Sequence, residues 1–109
     1  MAYSEQLAER VRAALDGERQ VAERAMFGRR MFMVAGNLAV GAAGDELMVR
    51  VGEQEVGAAL SQPGARRCVM SGRPMTDWIL VGADGLASDE RLNGWVRRGV
   101  AYARSLVKG

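Results

Sequence analysis

The sequence predicts an α+β fold. The expected arrangement has two layers, a mainly antiparallel sheet packed by an N-terminal helix, a short middle helix and a long C-terminal helix. Three observations predict it. Apolar residues recur at helical spacing near both ends of the chain. Short apolar runs broken by glycine fill the middle. The connections between those runs are too short for the crossover that parallel pairing requires. At 109 residues the chain is expected to form one domain, residues 1–109.

Taken in order, Ser4 is placed to cap a first helix that runs to about Asp16, with Glu5 favourably set against the positive end of the helix dipole. Leu7, Val11, Ala14 and Leu15 give it one apolar stripe, and Gly17 is a natural stop. Ala22 to Phe27 and Arg30 to Val34 read as strand, with Gly28 either bending one strand or separating two. Ala35-Gly36-Asn37 signals a turn, Leu38 to Ala43 the next strand, Gly44-Asp45 another tight turn, and Glu46 to Val51 a further strand. Between Gly52 and Ser61 the period changes, and Val56, Ala59 and Leu60 suggest a short amphipathic helix ended by Gln62-Pro63-Gly64. Arg67 to Met70 and Trp78 to Val81 are two more strand candidates. Ser71 to Met75 reads as a turn between them, and Gly82-Ala83-Asp84-Gly85 closes the strand region.

The last helix is the clearest element. Ser88 or Asp89 caps it, and Asp89 and Glu90 sit at its positive end. At about 100° per residue, Leu92, Trp95, Val96, Val100, Tyr102, Ala103, Leu106 and Val107 fall on one half of the wheel. Gly99 lies in the middle of that apolar half. A glycine there costs about 1 kcal/mol in helix propensity, and close approach of the helix backbone to the sheet is the expected compensation.

Composition excludes several chemistries. There is no histidine, which removes the commonest general base and metal ligand. Cys68 is the single cysteine, so neither an internal disulfide nor a multi-thiolate metal site is available. Gly82 to Gly85 is no phosphate loop, since the lysine is absent and the spacing is wrong, and Asp84 reads as a turn residue. No catalytic residue, cofactor site or metal site is expected. No apolar run approaches the length of a membrane span and the first residues lack the pattern of a signal peptide, so the expected location is cytoplasmic. All fifteen basic residues but Lys108 are arginine, and the net charge of +2 is too small to imply a nucleic-acid partner by itself.

Four segments carry a resemblance. Met26-Phe27-Gly28, Gly44 to Gly52 (GDELMVRVG), Ser71 to Met75 (SGRPM) and Gly94-Trp95-Val96-Arg97 occur in order and in register. Together they resemble the N-terminal domain of the TfoX/Sxy competence-regulator family over nearly the whole chain. Arg29 departs from the pattern, for the family often has a second glycine after Met-Phe-Gly. The resemblance implies a two-layer α/β domain with this element order. It also implies kinship with co-regulators of natural-competence genes that act with a catabolite-activator-type transcription factor and carry a second, helical domain. This chain resembles the stand-alone version, and no catalytic residue carries over.

The candidate contact residues form two groups. On the last helix Arg97, Arg104 and Lys108 line up, Arg91 and Arg98 flank them, and no acidic residue lies between Arg91 and Lys108. Such a strip suits phosphates or an acidic protein patch. The plainer account is a solvated face whose C-terminal cations complement the dipole. The second group is Met26, Phe27, Gly28, Arg29 and Arg73. The Met-Phe-Gly segment and Ser71 to Met75 are expected to share one edge of the sheet and form a groove. Arg29, Arg30, Arg66, Arg67 and Arg73 would bind an anion only if the fold gathers them. Met26, Met31, Met33, Met48, Met70 and Met75 are expected mainly to fill the core, Trp78 and Trp95 to anchor it, and Cys68 to be a buried structural thiol.

The sequence thus points to a non-enzymatic protein-interaction module, akin to a transcriptional co-regulator. The expected partner is a transcription factor or polymerase component. A nucleic-acid-binding domain using the basic helix face is the alternative, and a small-ligand protein or enzyme the third reading. An exposed sheet edge would also allow a homodimer.

Overall fold

A computed structural model describes residues 3–70 and 72–107, the side chains of Met70 and Pro74 aside. Ser71 and Lys108, both singled out above, lie outside the described residues. Helix α1 (Glu5–Ala14) is followed by strands β1 (Val21–Met26), β2 (Arg29–Val34), β3 (Asn37–Ala43) and β4 (Glu46–Arg50). A 3₁₀ turn (Glu53–Glu55) leads into α2 (Val56–Leu60). Then come β5 (Ala65–Met70), β6 (Arg73–Val81), a second 3₁₀ turn (Ala83–Leu86) and α3 (Asp89–Ser105).

The six strands form one antiparallel sheet in the order β1-β2-β3-β4-β6-β5. The α+β expectation therefore holds. Both long helices start where their caps predict. Ser4 Oγ accepts from the Leu7 backbone N–H and Ser88 Oγ from that of Arg91, each at 3.1 Å. Helix α1 stops at Ala14, short of Asp16, because the chain turns through Leu15 to Gly17, where Gly17 has φ +88°.

One open reading is resolved and one changes. Gly28 separates two strands: Phe27 (φ +52°) and Gly28 (φ +72°) form a two-residue turn, with Met26 paired to Arg29. Positive φ at both central residues is the type I′ geometry that matches the twist of a hairpin. The expected turn over Ser71 to Met75 is largely strand. The β5–β6 hairpin already pairs Met70 with Arg73 and Val69 with Pro74. Gly-Arg-Pro reads as a breaker, yet β4 pairs with β6 only from Trp78 onward. Pro74 therefore lies where β6 has a single neighbour, and its missing N–H breaks no bond to a second strand.

All three helices lie on one face of the sheet. Leu7, Ala8 and Val11 of α1, Val56 and Ala59 of α2, and Leu92, Trp95, Val96, Val100 and Ala103 of α3 share one core cluster with Phe32, Val40, Leu47, Val49, Ile79 and Val81. The seat of α3 is Gly99. A Cβ there would lie 2.6 Å from the Ala39 carbonyl oxygen and 2.7 Å from Val40 Cγ1. The close approach inferred from the sequence is thus present, and α3 lies with its backbone against β3. The Asn37 side chain ties the far end of the contact by donating to the Ala103 carbonyl at 3.1 Å.

An ionic clasp joins α1 to the β1–β2 hairpin. Glu23 accepts from Arg12 Nε and Nη2 at 2.8 and 2.7 Å, and from Arg30 Nε at 2.6 Å. Arg12 above all, with Arg30, holds the Glu23 carboxyl down at about 2 against partial burial that pushes the other way.

Two predictions follow from these contacts. Gly99→Ala should destabilise by about 1–3 kcal/mol through overpacking, despite its better helix propensity. Gly94→Ala, in the same helix but with nothing within 4 Å of the added Cβ, should stabilise by up to about 1 kcal/mol. Thermal unfolding of the two variants reads both signs. Because the folded pKa of Glu23 lies below its ordinary 4.5, its contribution is complete above that value and is lost as pH falls toward 2. Glu23→Gln should cost about 1–2 kcal/mol at neutral pH, discounted for the half-exposed Arg12, and should flatten the acid limb of a stability–pH curve.

Candidate interaction surface

The opposite face of the sheet carries no helix among the described residues. It holds a second buried cluster of Met31, Met48, Cys68 and Trp78, with Met26, Leu38, Ala43, Met75 and Leu80 packed against it. Strand pairing explains the row: Met31 stands opposite Gly41, Gly41 opposite Met48, and Met48 opposite Leu80. Gly41 leaves room for the Met31 thioether, since a Cβ there would lie 2.3 Å from Met31 Sδ. Of the methionines expected to fill the core, Met31 and Met48 are buried here, on the second face, with Met26 and Met75 packed against them; Met33 is half-buried outside both clusters, and the side chain of Met70 lies outside the description. Trp95 anchors the helical core and Trp78 this one.

A groove of about 300 Å³ opens on this face. Phe27, Gly28 and Arg29 form one wall, Cys68 and Val69 another, and Met48 and Leu80 are also in its lining. The β1–β2 turn and β5 belong to opposite ends of the strand order. Both nevertheless line this groove on the helix-free face. The expectation that Met-Phe-Gly and Ser71 to Met75 share one edge and form a groove is corrected: the β1–β2 and β5–β6 hairpins stand at opposite ends of the strand order, and Met-Phe-Gly shares its groove with Cys68 and Val69 of β5, not with the described part of Ser71 to Met75.

Phe27 dominates the rim. It is 87 % exposed and Val69 53 %, whereas most large apolar side chains are buried. Its backbone adds a second anomaly, because a bulky residue in the left-handed region is a steric outlier. The β2–β3 turn supplies the contrast. Ala35 also has positive φ (+53°), but its side chain packs against the helical core. Phe27 belongs to neither buried cluster among the described residues.

The sulfur chemistry is quiet. The Cys68 thiol is buried and donates to Met75 Sδ at 3.7 Å. Burial pushes its pKa up, opposed by the charges of Arg29 and Arg66. That is the environment of a structural thiol. Among the described residues no three His, Cys, Asp or Glu side chains gather to hold a metal.

The arginines are mostly engaged elsewhere. Arg30 pairs with Glu23 and Arg66 with Glu46. Arg67 and Arg73 are exposed on β5 and β6, and Arg29 lines the groove. The five are not gathered into one anion site, because two already face carboxylates. On α3, Arg104 donates to Glu18 Oε1 and to the Arg19 carbonyl, both at 2.9 Å, and Arg91 donates to the Asp84 carbonyl at 2.7 Å. Arg98 lies over the Trp95 ring, 4.9 Å from its centroid. Arg97 is exposed and has no hydrogen-bond or ion-pair partner among the described residues. The aligned strip read from the helical wheel is thus divided: Arg104 braces the loop after α1, Arg91 braces the turn before α3, and Arg97 and Arg98 stand exposed between them. Sequence reasoning missed Glu18 as the partner of Arg104, since a separation of 86 residues leaves no local signal.

No helix among the described residues is long and apolar enough to cross a membrane. The family model of the TfoX N-terminal domain matches residues 5–103. No curated protein and no solved structure matches the chain.

The thiol environment is directly testable. Native protein should react with a thiol reagent far more slowly than protein unfolded in guanidinium, with one thiol titrated on unfolding. Rapid stoichiometric labelling of the native protein would contradict a buried Cys68.

Proposed function

From the premise that the chain belongs to the TfoX N-terminal domain family, which is linked to competence regulation, we propose that it is a non-catalytic protein-interaction module of transcriptional regulation. Its contact point is the β1–β2 hairpin tip, and its partner is a transcription factor or polymerase component. The observation that carries this reading is Phe27, an aromatic side chain 87 % exposed on a left-handed residue. An exposed aromatic held by a strained turn gives the isolated chain nothing. It serves a partner, because rigid aromatic anchors provide much of the energy of protein interfaces. Val69, Met48 and Leu80 supply an apolar groove beside it and Arg29 a polar flank, as an interface core and rim require. Nucleic-acid binding along α3 has less support, since Arg91 and Arg104 hold the chain's own carbonyls and carboxylate.

The test is a tagged capture from the source lysate with nuclease added, followed by mass spectrometry. A transcription factor or polymerase subunit should be retained by the wild type and by Arg97→Glu. Phe27→Asn should lose it while unfolding several degrees higher, because Asn-Gly is the preferred type I′ pair and the strain of about 1 kcal/mol is relieved. Capture that survives Phe27→Asn and fails in Arg97→Glu would move the site to α3. Recovery abolished by nuclease in the wild type would favour nucleic acid.

A further inference from the structure

A second groove lies on the other layer of the molecule, between α3 and the loop that follows α2. It encloses about 360 Å³ and is lined by Gln62, Glu90, Arg91, Gly94, Trp95 and Arg98, among others. The volume falls in the range of small-ligand sites. Arg91, Trp95 and Arg98 follow one another at helical spacing, so α3 presents them along one side.

The three donors differ in how they are held. Arg91 uses Nη1 on the Asp84 carbonyl at 2.7 Å, which fixes the guanidinium and leaves its other N–H groups available. Arg98 places its guanidinium carbon over the Trp95 ring, 4.9 Å from the ring centroid, a cation–π contact that restrains the side chain. Trp95 itself is only 6 % exposed. Its indole N–H donates to no group among the described residues, yet it is not a sealed, unsatisfied atom. A buried indole N–H ordinarily finds a partner; this one belongs to a residue that lines the groove, beside Gly85 of the same lining. Gly85 keeps the approach open. A Cβ there would come within 3.3 Å of Trp95 Nε1, as well as striking Val81 Cγ1 and the Pro63 carbonyl.

We infer that this groove is a binding site for a small oxyanion ligand, a phosphate or a carboxylate, held by Arg91, Arg98 and the Trp95 indole N–H. Two guanidiniums and a neutral N–H donor belong to residues that line one groove, and they make up the donor set that matches a tetrahedral or planar oxyanion. Glu90 lies in the same lining and opposes the anion, while Gln62 offers an amide to whatever hydroxyl or amine the ligand carries. Glu55, in the first 3₁₀ turn, lines a neighbouring groove that Arg98 also borders, with Val51 and Tyr102. The site is separate from the hairpin tip and does not rest on the reading of Phe27.

The experiment is an amide-and-indole ¹H–¹⁵N titration of the full chain with inorganic phosphate and, in a second arm, acetate. Chloride holds the ionic strength constant in both. The Trp95 indole resonance should move saturably at millimolar ligand while that of Trp78 stays still. Arg98→Gln should weaken the titration about tenfold, and Glu90→Gln should tighten it several-fold. Phe27→Asn should leave it unchanged, which separates failure of this site from failure of the hairpin reading. Saturation with one anion and not the other assigns the ligand class within the proposal. A linear drift no different from chloride, or an Arg98→Gln protein that titrates like the wild type, overturns it.

Discussion

The backbone contact between α3 and β3 at Gly99 is the constraint on which the rest of the structure depends. Helices usually rest on sheets through side chains. Here a Cβ would lie 2.6 Å from the Ala39 carbonyl, so the helix lies closer than a larger residue would allow. That depth lets Leu92, Trp95, Val96, Val100 and Ala103 reach the sheet together and complete a core shared with all three helices. It also fixes the height of Trp95, and with it the groove in which Arg91 and Arg98 stand. Arg104 reaches Glu18 and Asn37 reaches the Ala103 carbonyl across the same seam, so the end of α3 is tied both to the loop after α1 and to the start of β3.

Placing every helix on one face leaves the other to solve its own solvation problem. Met31, Met48, Cys68 and Trp78 are each at most 5 % exposed there, packed together and against Met26, Leu38, Ala43, Met75 and Leu80. Thioether side chains suit that task, because an unbranched, polarisable chain fills an irregular hollow without a fixed shape. The consequence for function is geometric. The β1–β2 turn and β5 line one groove, so Phe27, 87 % exposed, stands beside Met48 and Cys68 of this second cluster.

Much of this was legible in the residues. The caps at Ser4 and Ser88, the apolar half of α3 and the glycine in its centre led to the helices and to the close approach at Gly99. The hairpins were legible wherever glycine and polarity coincided. Legibility ended where long-range pairing overrode local chemistry. Gly72-Arg73-Pro74 carries a breaker's signature, and only the end of β4 short of that stretch makes it strand. The β1–β2 turn was visible as Gly28 but not as a two-residue loop, because phenylalanine is an unusual first residue for it. The division of the basic strip on α3 had no local trace either. A helical wheel shows which arginines align; it does not show that Asp84 and Glu18 lie within reach of them.

The central claim is that the helix-free face, entered at the hairpin tip, is the surface a partner covers. The most direct measurement is NMR of the methionine ε-methyl groups with and without the purified partner retained after nuclease treatment. The account predicts that Met26 and Met48, beside the tip and in the groove, shift or broaden on binding while backbone amides of α3 around Arg97 stay in place. Changes confined to α3, with the methionine methyls unmoved, would contradict it.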